Sequence, residues 1–316
     1  MLTRLLFTGG GGAGSESIYR QLSSTYDVHF ADAQTDLVHP VIPRENVHKI
    51  PWACDPQFKP ALAALCETYS INLLIPGVDE ELVILSRDLQ YSSTKILLPN
   101  TQYVSLMLDK YLMYQAFMRV GLLMPKTALL SDDFSILNPP YVVKPRNGRG
   151  SRNLKYLESC TEAEKYRDYL AHSNDLGSFV IQERIVGQEY TVQMIANTSG
   201  TLKCIVPVCV DVKKGITLDA YTHFDEQLIH QCAHIHSKLP TSGTYNIQLM
   251  QTSDGLIYPF EINPRISTTF CLVLASGVDP IHLFFDESPE SSRSFEFSSG
   301  IRLTRSWTNV FTSPSQ

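Results

Sequence analysis

No stretch of this sequence is apolar for long enough to cross a bilayer. A spanning helix needs roughly 18 or more such residues, and runs such as "INLLIPGV" (71–78) fall far short. No basic run or stripe occurs either. With a net charge of −6, neither nucleic acid nor a membrane is an expected partner. Cysteine is sparse, with seven residues at 54, 66, 160, 204, 209, 232 and 271. The odd count, the irregular spacing and the lack of any C-x-x-C exclude a disulfide framework or a zinc ribbon. Reduced thiols in a cytoplasmic protein are expected instead. The opening "MLTRLLFTGG" has one Arg and a very short apolar run, so it reads as a first β-strand and not as a signal peptide. What remains is a chain of 316 residues, 43% hydrophobic and 18% charged, enough for two or three packed units.

The first hundred residues alternate strands and helices. Strands are expected at 4–9, 27–32, 71–78 and 94–99. Helices are expected at 15–25, with Ser15 as N-cap, and at 56–70 and 79–90. This rhythm implies a parallel sheet with helices on its faces. Between the first strand and helix, Gly9, Gly11 and Gly14 satisfy G-x-G-x-x-G, and Asp32 follows 18 residues after the last of them. That is the dinucleotide-binding fingerprint in its proper context. The pattern changes near residue 100. A helix is expected at 109–122, an extended piece at 124–130, a strand at 141–145 and a helix at 158–173. Two strands then flank "VGQE" within 178–196. Strands at 201–212, 245–252 and 256–264 follow, with a helix at 225–239 and a tight "TSDG" turn joining the last two strands.

The chemistry gathers in the second half. Glu261 and Asn263 are two apart on one strand, so both leave the same face, and the hairpin turn folds Gln248 beside them. One carboxylate with amide oxygens suits a hard cation such as Mg²⁺. Arg265 follows on that face and can clamp a phosphate or carboxylate. The competing reading is a half-buried sheet face with polar residues toward solvent. Lys144 in "YVVKP" ends an apolar strand before a loop that contains Arg146, Gly148, Gly150 and Ser151, a place from which it can reach phosphate oxygens. It could equally be an exposed Lys before a turn. In "VIQERIVGQEYTV", Gln182 and Glu183 stand at a strand end, and Glu189 follows a turn. Exposed backbone there can read an adenine, and a carboxylate can take ribose hydroxyls. A solvated hairpin is the alternative.

Lys110, Lys144 with its Gly loop, "QERIVGQE" and Gln-x12-Glu-x-Asn-x-Arg occur in one order over about 155 residues. In this the chain resembles the ATP-grasp superfamily. Its "YPFEINPRISTTFCLVLASGVDPI" is similar to the synthetase domains of carbamoyl-phosphate synthetase and their stand-alone relatives. The resemblance runs over about residues 2 to 285. It implies an α/β and α+β chain with the ATP-grasp fold. The expected parts are a Rossmann-like N-terminal domain (1–100), a small lid subdomain with its connecting helix (101–185) and a C-terminal subdomain (186–316). ATP would lie between the last two.

By the same resemblance, Lys110, Lys144, Arg146, Gly148, Gly150 and Ser151 would serve the phosphates. Gln182, Glu183, Arg184 and Ile185 would serve the adenine, and Glu189 the ribose. Gln248, Glu261 and Asn263 would hold Mg²⁺ (or Mn²⁺). Arg265 and Lys144 would be catalytic. One departure is that Gln248 stands where many of these ligases carry Asp.

The reaction implied is a biosynthetic, ADP-forming ligation. A small carboxylate is activated as an acyl phosphate and joined to an amine. Ligation to ammonia or a thiol, phosphoryl transfer alone, a non-catalytic nucleotide-binding module and an NAD(P)-dependent oxidoreductase are the alternatives. The partners are then small-molecule acids and amines, with a homodimer left open. The Gly-rich turn becomes a substrate-side element, with Gly11, Gly12, Glu16 and Ser17 near a substrate carboxylate or acyl phosphate. Asp79 and Glu80 could hold an amine, and Arg302 or Arg305 a carboxylate. The segment 212–225 is a further acceptor-side candidate, although charged loops are commonly only solvated.

Overall fold

The computed structural model describes all residues except 1, 88–92, 149, 151–152, 173–174, 289–295 and 307–316. Three sheets organise the chain.

The first is parallel. It is built from β1 (Arg4–Thr8), β2 (Asp27–Asp32), β3 (Val47–Lys49), β4 (Leu73–Ile75) and β5 (Lys95–Ile96), with α1 (Ser15–Leu22), α2 (Phe58–Thr68) and α3 (Asp79–Ser86) between them. The strand order is β3-β2-β1-β4-β5, so the chain reverses direction across the sheet between β1 and β4. Period-two alternation sorts its side chains. Leu5, Phe7, Leu73 and Ile75 pack with Ile18 and Leu22 of α1, while Leu6 and Leu74 pack with Leu62 and Leu82 of α2 and α3. The helix expected at 15–25 ends at Leu22. Gly14 is its N-cap and forms no side-chain cap, so Ser15 is the first helical residue and is buried. The strands expected at 71–78 and 94–99 shrink to three and two residues. The last residues of the expected helix 79–90 lie outside the described part.

Two helices then lead out of the first sheet. Asn100 caps α4 (Thr101–Leu108) by accepting from the Tyr103 amide at 3.0 Å. Asp109 caps α5 (Lys110–Arg119) by accepting from the amides of Tyr111 and Leu112, both at 3.0 Å.

The second sheet is antiparallel and small. Its strands are β6 (Thr127–Leu129), β7 (Tyr141–Pro145), β8 (Lys155–Leu157) and β9 (Phe179–Glu183), in the order β6-β9-β7-β8, with α6 (Cys160–Ala171) against it.

The third sheet holds β10 (Gln188–Ala196), β11 (Leu202–Lys214), β12 (Ile216–Thr222), β13 (Gly243–Gln251) and β14 (Ile257–Asn263). The order is β14-β13-β10-β11-β12, and β15 (Arg302–Thr304) extends it at the β12 edge. α7 (Glu226–Lys238), α4 and α5 cover one face. There Tyr190, Val192 and Met194 meet Met107, Phe117, Leu228 and Ile235. The intervening residues Thr191 and Gln193 point to the opposite face.

The sequence between residues 212 and 225, read as an acceptor-side loop, is mostly strand. β11 turns at Gly215 into β12. α8 (Phe270–Ala275) and α9 (Pro280–Phe285) do not stay with the third sheet's helices. Phe270, Cys271, Ile281 and Phe284 pack into the core of the first sheet beside α1, while Leu272 and Val273 pack on the third sheet's other face, so α8 and α9 join the two layers. Among the described residues, no helix is long and apolar enough to cross a membrane.

Candidate active site

The third sheet builds the site through its register. Thr191, Gln248 and Glu261 are direct cross-strand neighbours on β10, β13 and β14. Two residues further along lies the row Gln193, Asn246 and Asn263. All six leave the same face, opposite the helix-packed core. The expected trio Gln248, Glu261 and Asn263 is therefore brought together. Thr191, Gln193 and Asn246, which the sequence did not single out, complete the face. Asn263 donates to Asn246 Oδ1 at 3.2 Å, and Asn246 donates to the Arg265 carbonyl at 3.0 Å.

A cleft of about 480 Å³ opens between this face and the second sheet. Lys110, Lys144, Gly148, Gly150, Gln182, Glu183, Arg184, Ile185, Glu189, Gln248 and Glu261 all line it. Apolar side chains the sequence did not flag, Val142, Val186, Met250 and Phe260, form a slot within it, the kind of wall that takes a flat ring. Among the described residues, the Ile185 and Val186 amides have no backbone hydrogen bond.

Three ammonium groups converge here. Lys110, the first residue of α5, sits 3.1 Å from Glu261 Oε1 and donates to the Gly148 carbonyl at 2.8 Å. Lys144 is buried and donates to Gln182 Oε1 at 3.0 Å. Lys213, at the tip of the β11–β12 hairpin, bridges Glu189 Oε1 at 2.5 Å and Gln248 Oε1 at 3.0 Å. Lys213 escaped the sequence reading, although a lysine pair before the glycine turn in "VDVKKGIT" repeats the logic of "VVKP".

Burial pulls the Lys144 ammonium down to about 8, with Lys110 and Lys213 adding to the fall and Glu261 opposing it. Burial alone would raise the Glu261 carboxyl. The three ammonium groups outweigh that effect and hold it below the usual carboxylate range. Each carboxylate around the triad has a cationic partner, and Lys144 donates to neutral acceptors, the Gln182 amide and, at 3.4 Å, the Phe260 carbonyl, so the cleft favours an anion.

Other expected residues have different duties. Arg146 does not line the cleft. Its Nε grips both oxygens of Asp109 at 2.8 and 2.7 Å and so fixes the α5 cap that positions Lys110. The Glu183 carboxylate accepts from the backbone and side-chain nitrogens of Asn138 at 2.8 and 3.1 Å, which leaves backbone as its main offering to the cleft. The Arg184 guanidinium stacks on Tyr156 and pairs with Glu158. Ser151 lies outside the described residues. Arg265 is ion-paired with Asp79 across the first and third sheets, so Asp79 serves the arginine and is not a free amine-binding carboxylate. Glu80 lines neither this cleft nor the adjoining chamber of about 380 Å³ beside Thr191 and Arg265. Arg302 is neutralised by Asp211 at 2.7 Å and Asp219 at 2.8 Å and also lines neither. Arg305 binds the carbonyls of Ala13, Thr217 and Thr268.

Gly11 and Gly12 of the glycine-rich turn are exposed, but their amides are engaged within the protein. The Gly11 amide donates to Asp32 Oδ2 at 2.9 Å, and the Gly12 amide to the Gly9 carbonyl at 2.9 Å. Asp32, the acidic residue of the fingerprint, holds the loop itself. Glu16 pairs with Arg20 one turn on, and Ser17 accepts from Gln21. None of the four reaches a chamber.

Gly187, between the second and third sheets, has a steric reason to be glycine. A Cβ there would lie 2.2 Å from the Gln251 carbonyl oxygen. Gly187→Ala must push apart the start of β10 and the end of β13, at a cost of about 1–3 kcal/mol. The expected outcome is a lowered thermal unfolding midpoint together with a raised KM for the cleft's ligand. A variant unchanged in both would show that this contact is not needed.

The fold and the cleft define a mixed α/β protein in which a small antiparallel sheet closes a cation-lined cleft over a larger one. The family model of the ATP-grasp domain matches residues 107–269, and the chain belongs to the ATP-grasp family. Solved structures agree in fold. Biotin carboxylase from Campylobacter jejuni is 16% identical, with a TM-score of 0.72, covering 96% of this chain and 74% of that one. Carboxyaminoimidazole ribonucleotide synthase from Aspergillus clavatus, solved with ATP, is 13% identical, with a TM-score of 0.65 and coverage of 84% and 70%. L-amino acid ligase from Bacillus licheniformis is 14% identical, with a TM-score of 0.65 and coverage of 89% and 73%.

Proposed function

We propose that this chain is an ATP-dependent ligase that activates a small carboxylate as an acyl phosphate and joins it to an amine. One observation carries the reading. The row Thr191–Gln248–Glu261 carries Lys110 and Lys213, and its Gln248 and Glu261 line both the 480 Å³ cleft and a second chamber of about 380 Å³. Two reactants held in adjoining chambers meet at such a wall. Family membership and the ATP complex of the Aspergillus clavatus enzyme support ATP as the first reactant.

In this reading the apolar slot and the 183–186 backbone take the adenine, and Glu189 takes the ribose. Lys110, Lys144, Lys213 and the loop at Gly148 and Gly150 take the phosphates. The oxygens of Glu261, Gln248 and Asn263 fit a hard cation. Glu261 and Gln248 already face ammonium groups, and a set with one carboxylate leaves room for phosphate oxygens and water. Bound Mg²⁺ would supply charge neutralisation to the phosphate oxygens.

The chain's own groups do the rest. A triphosphate and a carboxylate repel, by about 4 kcal/mol for unit charges 4 Å apart at an effective dielectric of 20. Lys110, Lys144 and Lys213 offset this repulsion as charge shifts to the transferring group. Arg265, whose Nε is fixed by Asp79 and whose Nη1 is fixed by the Ile266 carbonyl, presents its remaining N–H groups toward the acid. The loop at Gly148 and Gly150 keeps water from the acyl phosphate.

The test is a phosphate-release screen of small acids and amines in pairs with MgATP. Phosphate release that requires both members of a pair supports ligation. NADH binding without any MgATP effect would favour the oxidoreductase alternative.

A further inference from the structure

The second chamber carries information about the acid. Among its described lining residues, Ile216 is the one large apolar side chain. The hydroxyls of Thr191 and Thr217 face the chamber from residues only 4% and 3% exposed. Neither makes a hydrogen bond to a described residue, whereas the neighbouring Asn246 and Ser267 are satisfied internally. Neither oxygen is sealed inside the protein, so both hydroxyls are open to polar atoms of a ligand in the chamber. Glu261, the one carboxylate among the described lining residues, is held by Lys110. Lys213 is held by Glu189 and Gln248. Lys214 beside it lines the chamber and has no ion pair or hydrogen bond with a described residue. Arg265 keeps Nη2 in reserve after Nε and Nη1 are engaged.

These donors lie at two ends. Thr191 shares the cross-strand row of Gln248 and Glu261, which borders the cleft. Thr217 pairs in register with Lys213, and Lys214 pairs with Ile216, at the hairpin tip.

We propose that the second chamber takes a small polar carboxylic acid that bears a second anionic group. The reacting carboxylate lies at the Thr191–Arg265 end, and the second anion is held by Lys214 and Thr217. The proposal rests on the ligase reading and adds the substrate class. In the step itself a carboxylate oxygen forms its bond to the γ-phosphorus while the bond to ADP breaks. ADP keeps the electron pair, so no oxidant or reductant is needed. An apolar acid of equal size leaves the two hydroxyls and Lys214 unpaired, and sites built on polar contacts reject such analogues strongly.

Thermal unfolding of the full chain in MgADP tests this with matched pairs at equal ionic strength. The pairs are succinate against butyrate, glutarate against valerate, and aspartate against 2-aminobutyrate. At least one dianionic member is expected to raise the midpoint beyond MgADP alone, and its partner is not. Lys214→Ala should weaken that binding at least tenfold, an effect typical of losing one charged contact, while Lys214→Arg retains it and the MgADP increment persists in both. Equal stabilisation by the partner acids, no increment from any dianion, or an increment that survives Lys214→Ala would overturn the proposal alone. Failure of MgADP to stabilise the wild-type chain would remove the ligase reading and this proposal with it.

Discussion

Glu261→Gln is expected to lower kcat/KM for ATP by about 10²- to 10³-fold or more, the scale for losing one preorganised electrostatic group, with the fold intact. The carboxylate is partly buried and sits 3.1 Å from Lys110, and the ammonium groups of Lys110, Lys144 and Lys213 all bear on its ionisation. The isosteric amide keeps the packing and removes the charge. Glu261→Ala would remove more, because uncompensated buried ammonium groups destabilise by several kcal/mol. That loss would mix folding with chemistry. Steady-state ATP consumption and thermal unfolding measured side by side separate the two. Near-wild-type ATP consumption by Glu261→Gln would remove this residue from the metal and phosphate site.

Lys144→Ala is expected to cost about 10²-fold or more in kcat/KM for ATP, and a change below threefold would count against its role. A pH profile sharpens this prediction. The Lys144 ammonium is lowered to about 8 in the free protein. Below that value the group is charged and attracts phosphate. As pH rises through it the amine becomes neutral, and kcat/KM, which reports the free enzyme, should fall about tenfold per pH unit. Lys144→Arg keeps its charge throughout this range. The descending limb near pH 8 should therefore vanish in that variant, and a limb that persists would belong to another group.

Much of the fold was legible because its signals are local. The first parallel strands read as apolar runs because both sheet faces are covered, and β1 and β2 fall where expected. The β13–β14 hairpin was legible from its alternation and from "TSDG", and its register sets Gln248 against Glu261. What stayed hidden depends on pairing at a distance. Thr191 reaches the site face only because β10 lies beside β13. Asp79 and Arg265 are 186 positions apart and meet only when the first and third sheets dock. Lys213 reaches the cleft because the β11–β12 tip carries it to Glu189. The Gly-rich turn was correctly read as the link between strand and helix. Its amides proved to serve Asp32 and the turn itself, since a motif shows a backbone shape and not who occupies it. α4 carried a readable cap at Asn100, although no helix was expected at 101–108.

In the proposed reaction a carboxylate attacks the γ-phosphate at the wall between the two chambers. Once an acid that supports phosphate release is in hand, it can be labelled with ¹⁸O in its carboxylate and turned over with unlabelled MgATP. The account predicts one labelled oxygen in each released phosphate, carried across by the acyl phosphate. Phosphate released without label would mean that water, and not the acid, attacks the nucleotide, and would contradict it.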